Sequence, residues 1–281
     1  MPPLVLISAL PFRLLYGLSD VLYVLLYHVA GYRRDVVRGN LAIAFPEKSE
    51  AERRKLERTF YRHLADLFLE MLKTFTVSQK TLMRHWVIEN PEVMNRFYDE
   101  GRSVVMMTGH AGNWEWSLAS GGYFKHQGMA IYKKLSNPFF EQWMLRSRHK
   151  FGMDIIPTFA SRRYIENAQR EGRLMAYGFA ADQNPLKHKA KLWIPFFGKT
   201  VPVHTGAEEI ARRYNLPVVY AEIRKIKRGY YRTRLEVLCE NPAGCAENEI
   251  TRRYFARLEE SIRRQPGVYY WIHRRFKHSR D

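Results

Sequence analysis

Two side chains in the stretch S-V-V-M-M-T-G-H-A-G-N-W-E-W-S, residues 103–117, have the types that proton transfer needs: His110 and Glu115. A neutral imidazole takes a proton from a hydroxyl as that oxygen attacks a carbonyl, and a carboxylate fixes its tautomer and stabilises the imidazolium. Such a base contributes on the order of 10²–10⁴ in rate. Spacing alone selects nothing, because H-x4-[DE] recurs at His149/Asp154 and His204/Glu209. Five helical residues turn about 500°, so this pair on one regular helix would point apart. A bend is required, and Gly109, Gly112 and Asn113 supply it: flexible backbone, then a helix cap. His149/Asp154 lies where a helix runs into a strand, the reverse order. His204/Glu209 enters a helix, but Thr205 and Glu208 read there as an ordinary capping box. His110/Glu115 is therefore the expected catalytic pair. No G-x-S-x-G elbow accompanies it, so transfer without an acyl-enzyme is expected.

The elements that must hold this stretch follow from patterning. Val104–Met107 is an apolar run of strand type that ends at Thr108-Gly109, and Asn113 opens the next helix. From residue 103 strands and helices alternate. Strands are expected at 103–108, 129–133, 154–157, 173–180, 217–224 and 230–238. Helices are expected at 113–124, 138–150, 161–170, 205–214 and 246–264. Alternation of this kind predicts an α/β fold, a sheet flanked by helices. Upstream, Ser49 and Glu52 form a capping box. Leu56, Phe60, Leu64, Leu67, Phe68, Met71, Leu72 and Phe75 then recur at helical spacing, giving a helix over 49–75 with a core face.

Residues 4–30 are the most apolar long run. Its length suits a membrane helix of roughly 20 residues, but Pro11, Arg13 and Asp20 interrupt it. A tilted or kinked membrane helix and a helix pair lying in the interface both fit. Arg33, Arg34 and Arg38 follow directly, which favours a cytoplasmic body. The expected organisation is a membrane-associated segment over residues 1–32 and a catalytic domain over 33–281. The net charge is +18, from 46 Lys+Arg against 28 Asp+Glu. It calls for acidic partners, such as nucleic acid, an anionic membrane or an acidic protein. No recognition helix, RNP-type strand or zinc-ligand pattern is evident, so nucleic acid is not the expected partner. Cys239 and Cys245 are too few for a structural zinc site and suit a reducing compartment. No bound metal is expected.

Further residues have suitable chemistry. Arg148 and Lys133 are cations fit for phosphate or carboxylate. Asp182 follows the strand ending at Ala181, where α/β sheets keep their ligand crevice. Phe196 and Phe197 either line an apolar slot or fill the core.

G-H-A-G-N-W-E resembles the H-x4-[DE] block of the lipid A late acyltransferases, within the wider glycerol-3-phosphate and lysophospholipid acyltransferase-like superfamily. Similar blocks follow in the same order. They are residues 131–138 (I-Y-K-K-L-S-N-P) with Arg146 and Arg148, then A-D-Q-N-P at 181–185 with I-P-F-F-G at 194–198, and W-I-H-R-R-F-K at 271–277. N-L-A-I-A-F-P at 40–46 is similar to an N-terminal element of that family. The resemblance implies a mixed sheet flanked by helices, at the cytoplasmic face of a bacterial inner membrane. It implies acyl transfer from acyl carrier protein, or coenzyme A, to a hydroxyl of a lipid A precursor, these thioesters being co-substrates rather than cofactors. His110 is then the base and Glu115 its partner, with Arg148, Asp182, Lys133, Asn113 and Asn184 on the substrate side. At Lys133 relatives commonly carry Arg, so a point charge replaces a fork. The same chemistry on a lysophospholipid, an amino-acid lipid or a glycolipid is the alternative.

Overall fold

Residues 2–134 and 136–280 are described by a computed structural model of the chain. Leu135, within the block at 131–138, lies outside them. Among the described residues the α-helices are α1 Pro2–Ala9, α2 Phe12–Val24, α3 Arg34–Ala44, α4 Glu50–Lys73, α5 Gln79–His85, α6 Glu92–Asp99, α7 Pro138–His149, α8 Ser161–Arg170, α9 Gly206–Tyr214 and α10 Glu249–Arg264. The strands are β1 Trp86–Ile88, β2 Val104–Thr108, β3 Gln127–Tyr132, β4 Asp154–Pro157, β5 Met175–Ala180, β6 Leu192–Phe196, β7 Lys199–Val203, β8 Val218–Lys227 and β9 Tyr230–Cys239.

Seven strands form one mixed sheet in the order β1-β9-β8-β2-β5-β3-β4, and β6 and β7 form a separate hairpin. Only β8 and β9 pair antiparallel within the large sheet. The fold is the expected α/β arrangement, and every predicted strand is present within two to three residues of its expected ends. β2 is buried at all five positions, as a continuous apolar run in mid-sheet should be. Three strands escaped the pattern. β1 has three residues, too few for a period. β6 and β7 carry Pro195 and Pro202, which read against strands but are tolerated in a two-stranded hairpin whose edges are free. Their turn, Phe197-Gly198, has φ of +51° and +73°, as tight hairpins demand. Phe196 and Phe197 are 1% and 4% exposed and pack with Phe45, Phe255, Trp271 and Phe276. They fill the core.

α4 begins on the Ser49/Glu52 capping box, with both reciprocal hydrogen bonds formed. Its buried surface is wider than the apolar stripe. Glu57, His63, Asp66, Glu70 and Lys73 are buried as well, each with a partner. Glu57 accepts from Arg34 and Arg38. Asp66 accepts from Ser19, Lys225 and Arg228. Lys73 donates to the carbonyls of Ser8 and Leu10. Glu70 accepts from the Tyr16 and Tyr231 hydroxyls at 2.8 Å each and from Asn113 Nδ2 at 2.7 Å. An unsatisfied buried donor costs about 1–3 kcal/mol. Glu70→Leu therefore loses about 3 kcal/mol or more of stability, read as a lowered urea midpoint, and Glu70→Gln loses less.

α1 and α2 lean on α4 rather than standing clear of it. Leu15 is fully buried, Asp20 pairs with Arg228 at 2.6 Å, and Tyr16 and Ser19 reach the α4 carboxylates. The opposite face exposes Leu14, Leu18, Val21, Val24 and Leu25. Among the described residues one helical stretch, Phe12–Val29, is long and apolar enough to cross a membrane. Asp20, an interruption in the sequence pattern, is thus one of the residues that dock the helix.

Candidate active site

The central pairing is set by strand register. β2 and β5 are parallel neighbours, with Thr108 opposite Ala180. Two residues further on each chain stand His110 and Asp182, beyond the carboxyl ends of the strands, where open α/β sheets place their ligands. His110 Nδ1 lies 2.5 Å from Asp182 Oδ1, and the His110 backbone N–H donates to Asp182 Oδ2 at 3.1 Å. Asp182 is 1% exposed and His110 17%. With the carboxylate ionised, Nδ1 carries the proton and Nε2 presents its lone pair.

This corrects the expected dyad. The carboxylate that orients His110 is Asp182, not Glu115. Glu115 forms a bidentate pair with Arg148, Nε to Oε1 at 2.6 Å and Nη2 to Oε2 at 2.8 Å. The two side chains are 9% and 14% exposed. Both stay beside the site, since the Glu115 charge acts on His110. Its contribution is electrostatic rather than a hydrogen bond. Arg148 is correspondingly tied to Glu115 instead of standing free as a substrate cation. Removing one partner of a buried pair costs about 3–5 kcal/mol, because the other charge is left unpaired. Arg148→Met is expected to lose about 3 kcal/mol in a denaturation measurement, given partial solvent access. The double variant Glu115→Gln/Arg148→Met should recover much of it.

The electrostatics are internally consistent. Burial pushes the Asp182 carboxyl up, but the His110 charge, the hydrogen bonds from its ring and backbone, and the Tyr269 hydroxyl outweigh it. The carboxyl is held down at about 2. Burial likewise pushes His110 down, while the Asp182 charge, the hydrogen bond to it and Glu115 together leave the imidazole above its ordinary value. A buried cation and anion favour each other's charged forms.

The turn that carries His110 is shaped by two glycines. A Cβ on Gly109 would stand 2.5 Å from Leu258 Cδ1 of α10, and Gly112 has φ of +58°. The Tyr254 hydroxyl from α10 donates to the Thr108 carbonyl at 2.7 Å. The helix after this turn is 3-10 rather than α, Trp114–Gly122. Asn113 caps it, accepting from the Trp116 N–H at 3.0 Å while its amide donates to Glu70. Asn113 is fully buried with both ends of its amide occupied, so within this structure it acts as an internal strut between the His110 turn and α4.

Asn184 is likewise occupied. Its N–H donates to His273 Nε2 at 3.2 Å, its amide donates to the Arg274 carbonyl at 2.9 Å, and its oxygen accepts from Arg275. It ties the site to the tail. Lys133 is exposed just after β3 and makes no ion pair among the described residues. The other two H-x4-[DE] pairs are not pairs: Asp154 meets Tyr164, and Glu209 accepts from Thr205. The expected capping box at Thr205/Glu208 does not form, because Glu208 turns inward to Thr251.

The tail that follows α10 is part of the scaffold. Tyr270 N–H donates to the His110 carbonyl and Gly112 N–H to the Val268 carbonyl, 2.9 Å each. Asn40, from the 40–46 element, donates 2.7 Å hydrogen bonds to the carbonyls of Trp271 and His273. The first and last blocks of the sequence thus meet behind the site. Trp114 and Tyr270 flank His110 with ring centroids at 5.1 and 6.1 Å. Among the described residues no three His, Cys, Asp or Glu side chains converge to hold a metal ion. Sequence reading missed two neighbours of the imidazole, Gln183 and Trp114. Both adjoin residues it had singled out, and the register rule would have found Gln183.

Comparison with known proteins gives the family. The family model for bacterial lipid A biosynthesis acyltransferases matches residues 3–278. The lipid A biosynthesis palmitoleoyltransferase of Escherichia coli is 25% identical over 249 residues, 87% of this chain and 79% of the relative. The lauroyltransferase of the same organism is 24% identical over 276 residues, 97% of this chain and 88% of the relative. A lipid A biosynthesis acyltransferase of Haemophilus influenzae is 22% identical over 278 residues, 96% and 86% of the two chains. A family match over nearly the whole chain, on a mixed α/β sheet, establishes that this protein is an acyltransferase belonging to the bacterial lipid A biosynthesis acyltransferase family.

Proposed function

We propose that the protein transfers a fatty acyl group from a thioester, acyl carrier protein or coenzyme A, to a hydroxyl of a lipid A precursor, with His110 as general base. The observation that carries this reading is the hydrogen bond between His110 Nδ1 and the buried Asp182, which leaves Nε2 as the proton acceptor. The acceptor O–H gives its proton to Nε2 while its oxygen attacks the thioester carbonyl. The tetrahedral oxyanion then collapses, the C–S bond breaks, and the leaving thiolate takes the proton from the imidazolium. Asp182 holds the tautomer and stabilises the imidazolium. Glu115 adds negative potential, with Arg148 holding it in place through the bidentate pair. No covalent acyl-enzyme arises.

The surroundings support a lipid acceptor. The apolar face of α2, including Leu14, Leu18 and Val21, fits an anionic inner-membrane surface, its docked side against α4 and the catalytic sheet on the cytoplasmic side. The +18 charge suits that leaflet, an acidic carrier protein and a phosphorylated acceptor. The test is a donor-by-acceptor assay on membranes containing the protein, with product mass measured. Acylation of a lipid A precursor from one of the two thioesters is the expected result. Transfer only to a lysophospholipid, amino-acid lipid or glycolipid would contradict the acceptor assignment.

A further inference from the structure

His110 Nε2 is not open in this structure. Gln183 Nε2 lies 3.3 Å from it, and among the described residues no other side chain makes a hydrogen bond to that nitrogen. Since Nδ1 donates to Asp182, Nε2 is an acceptor, and the Gln183 amide N–H is the donor that fits it. The residue sits between two anchors. Asp182 on one side is buried against His110, and Asn184 on the other is held by the tail through three hydrogen bonds. The Gln183 backbone is therefore fixed, while its side chain is half-buried and reaches the surface.

An acceptor hydroxyl must reach the same lone pair, and the proton it delivers goes to the atom the amide now occupies. From this juxtaposition we propose that Gln183 is a positioning residue: its carboxamide holds the place of the acceptor hydroxyl on His110 Nε2, keeps the ring in the Nδ1–H tautomer, and yields that place when the hydroxyl binds. This rests on the general-base reading above. The proton moves from hydroxyl to Nε2, the new C–O bond forms, and Gln183 itself gains and loses nothing. When the imidazole is protonated, Nε2 becomes a donor and the amide must present its oxygen instead. Gln183 therefore follows the charge state of the base.

The charged and titratable groups facing His110 are Asp182 just beyond β5, Glu115 with Arg148, Tyr270 and His273 from the tail, and, through Asp182, Tyr269 and Arg275. His273 is pushed down to about 4, by burial first, and so stays neutral at working pH. A carboxylate at position 183 would add an acceptor directly at Nε2 and favour the imidazolium. An opposite charge at such range shifts a pKa upward by about 1–3 units.

The experiment is acyl transfer by the full-length protein in membranes, as kcat and KM for each substrate across pH 5–9 (about two units either side of neutrality), for wild type, Gln183→Ala, Gln183→Glu and His110→Ala. Gln183→Glu should move the acid limb of kcat/KM up by about one pH unit or more, with the loss at neutral pH recovered in base. Gln183→Ala should lower kcat/KM for the acceptor by about tenfold, with the donor KM unchanged. An unmoved acid limb in Gln183→Glu, or an unchanged acceptor kcat/KM in Gln183→Ala, overturns the assignment. Should a variant not fold, ¹⁵N NMR of the wild-type His110 ring decides. Protonated Nδ1 and bare Nε2 support it, and the reverse tautomer refutes it. If His110→Ala keeps full activity, the general-base reading fails. If His110→Ala is inactive while the Gln183 variants behave as wild type, only this inference fails.

Discussion

Replacing Asp182 by asparagine lowers the plateau rate of acyl transfer by about 10²–10⁴-fold, the range a positioned base contributes. The size follows from the tautomer. An asparagine that turns its amide toward Nδ1 makes that nitrogen an acceptor, which puts the ring proton on Nε2 and removes the lone pair the hydroxyl needs; the same failure costs serine proteases about 10⁴. The pH dependence separates this from simple misfolding. The base works only when neutral, so kcat/KM rises with pH through the His110 pKa and then levels. In the native site Asp182 supplies the main push that holds that value above the ordinary imidazole range against the opposing effect of burial. Removing its charge lets burial dominate, and the acid limb moves to lower pH even as the plateau falls. Glu115→Gln should move the limb in the same direction by less, since Glu115 is the last and smallest of the influences acting on His110. The measurement is a pH–rate profile of each variant in the same membranes. Equal losses with an acid limb that stays put would place Asp182 outside the base.

Much of this was legible in the chain itself, for physical reasons that differ between residues. His110 was found because an apolar run of four residues, Val104–Met107, ends at Thr108-Gly109, and so short a run bounded by glycine reads as a strand. Asp182 was found at a strand end by the same logic. What periodicity does not carry is the lateral order of strands. Only the β2–β5 pairing, with Thr108 opposite Ala180, brings His110 to Asp182 across 72 positions of sequence. Glu115, five residues away, looked like the partner because local spacing is all that a linear reading offers. Glu115 and Arg148 were both recognised, yet their mutual pairing depends on how α7 docks, which no motif states. Asn113 was read correctly as a cap. Its second bond, to Glu70 of α4, links the cap to a helix that no local motif connects with it. The interleaved aromatics and cations of the tail, 269–277, suit a solvated charge cluster, a site for anionic headgroups or packing beside the active site. The structure takes the last: Trp271 and Arg275 are buried, and the tail backbone meets Asn40 and His110. Interleaved aromatics and cations look alike whether they face water or wedge between layers; here the cation of Arg275 sits between Phe196 and Phe255. The α4 carboxylates were invisible to an apolar-stripe search, because buried charges that are fully paired do not follow the stripe.

The most direct test of the central claim is the acyl-transfer rate of His110→Ala. Alanine removes the proton acceptor and leaves Asp182 as a buried carboxylate without its imidazole. Binding surfaces, the Glu115–Arg148 pair and the exposed apolar face of α2 are untouched. Transfer to a lipid A precursor should then fall by at least about 10²-fold at every pH, with substrate KM values changed little, because the base acts in the transition state rather than in ground-state binding. The assay follows the mass of the acylated product in membranes carrying equal amounts of folded wild-type or variant protein. A loss of that size in kcat supports His110 as the base held by Asp182. An unchanged kcat would contradict it and return the catalytic assignment to the other polar groups of the sheet edge.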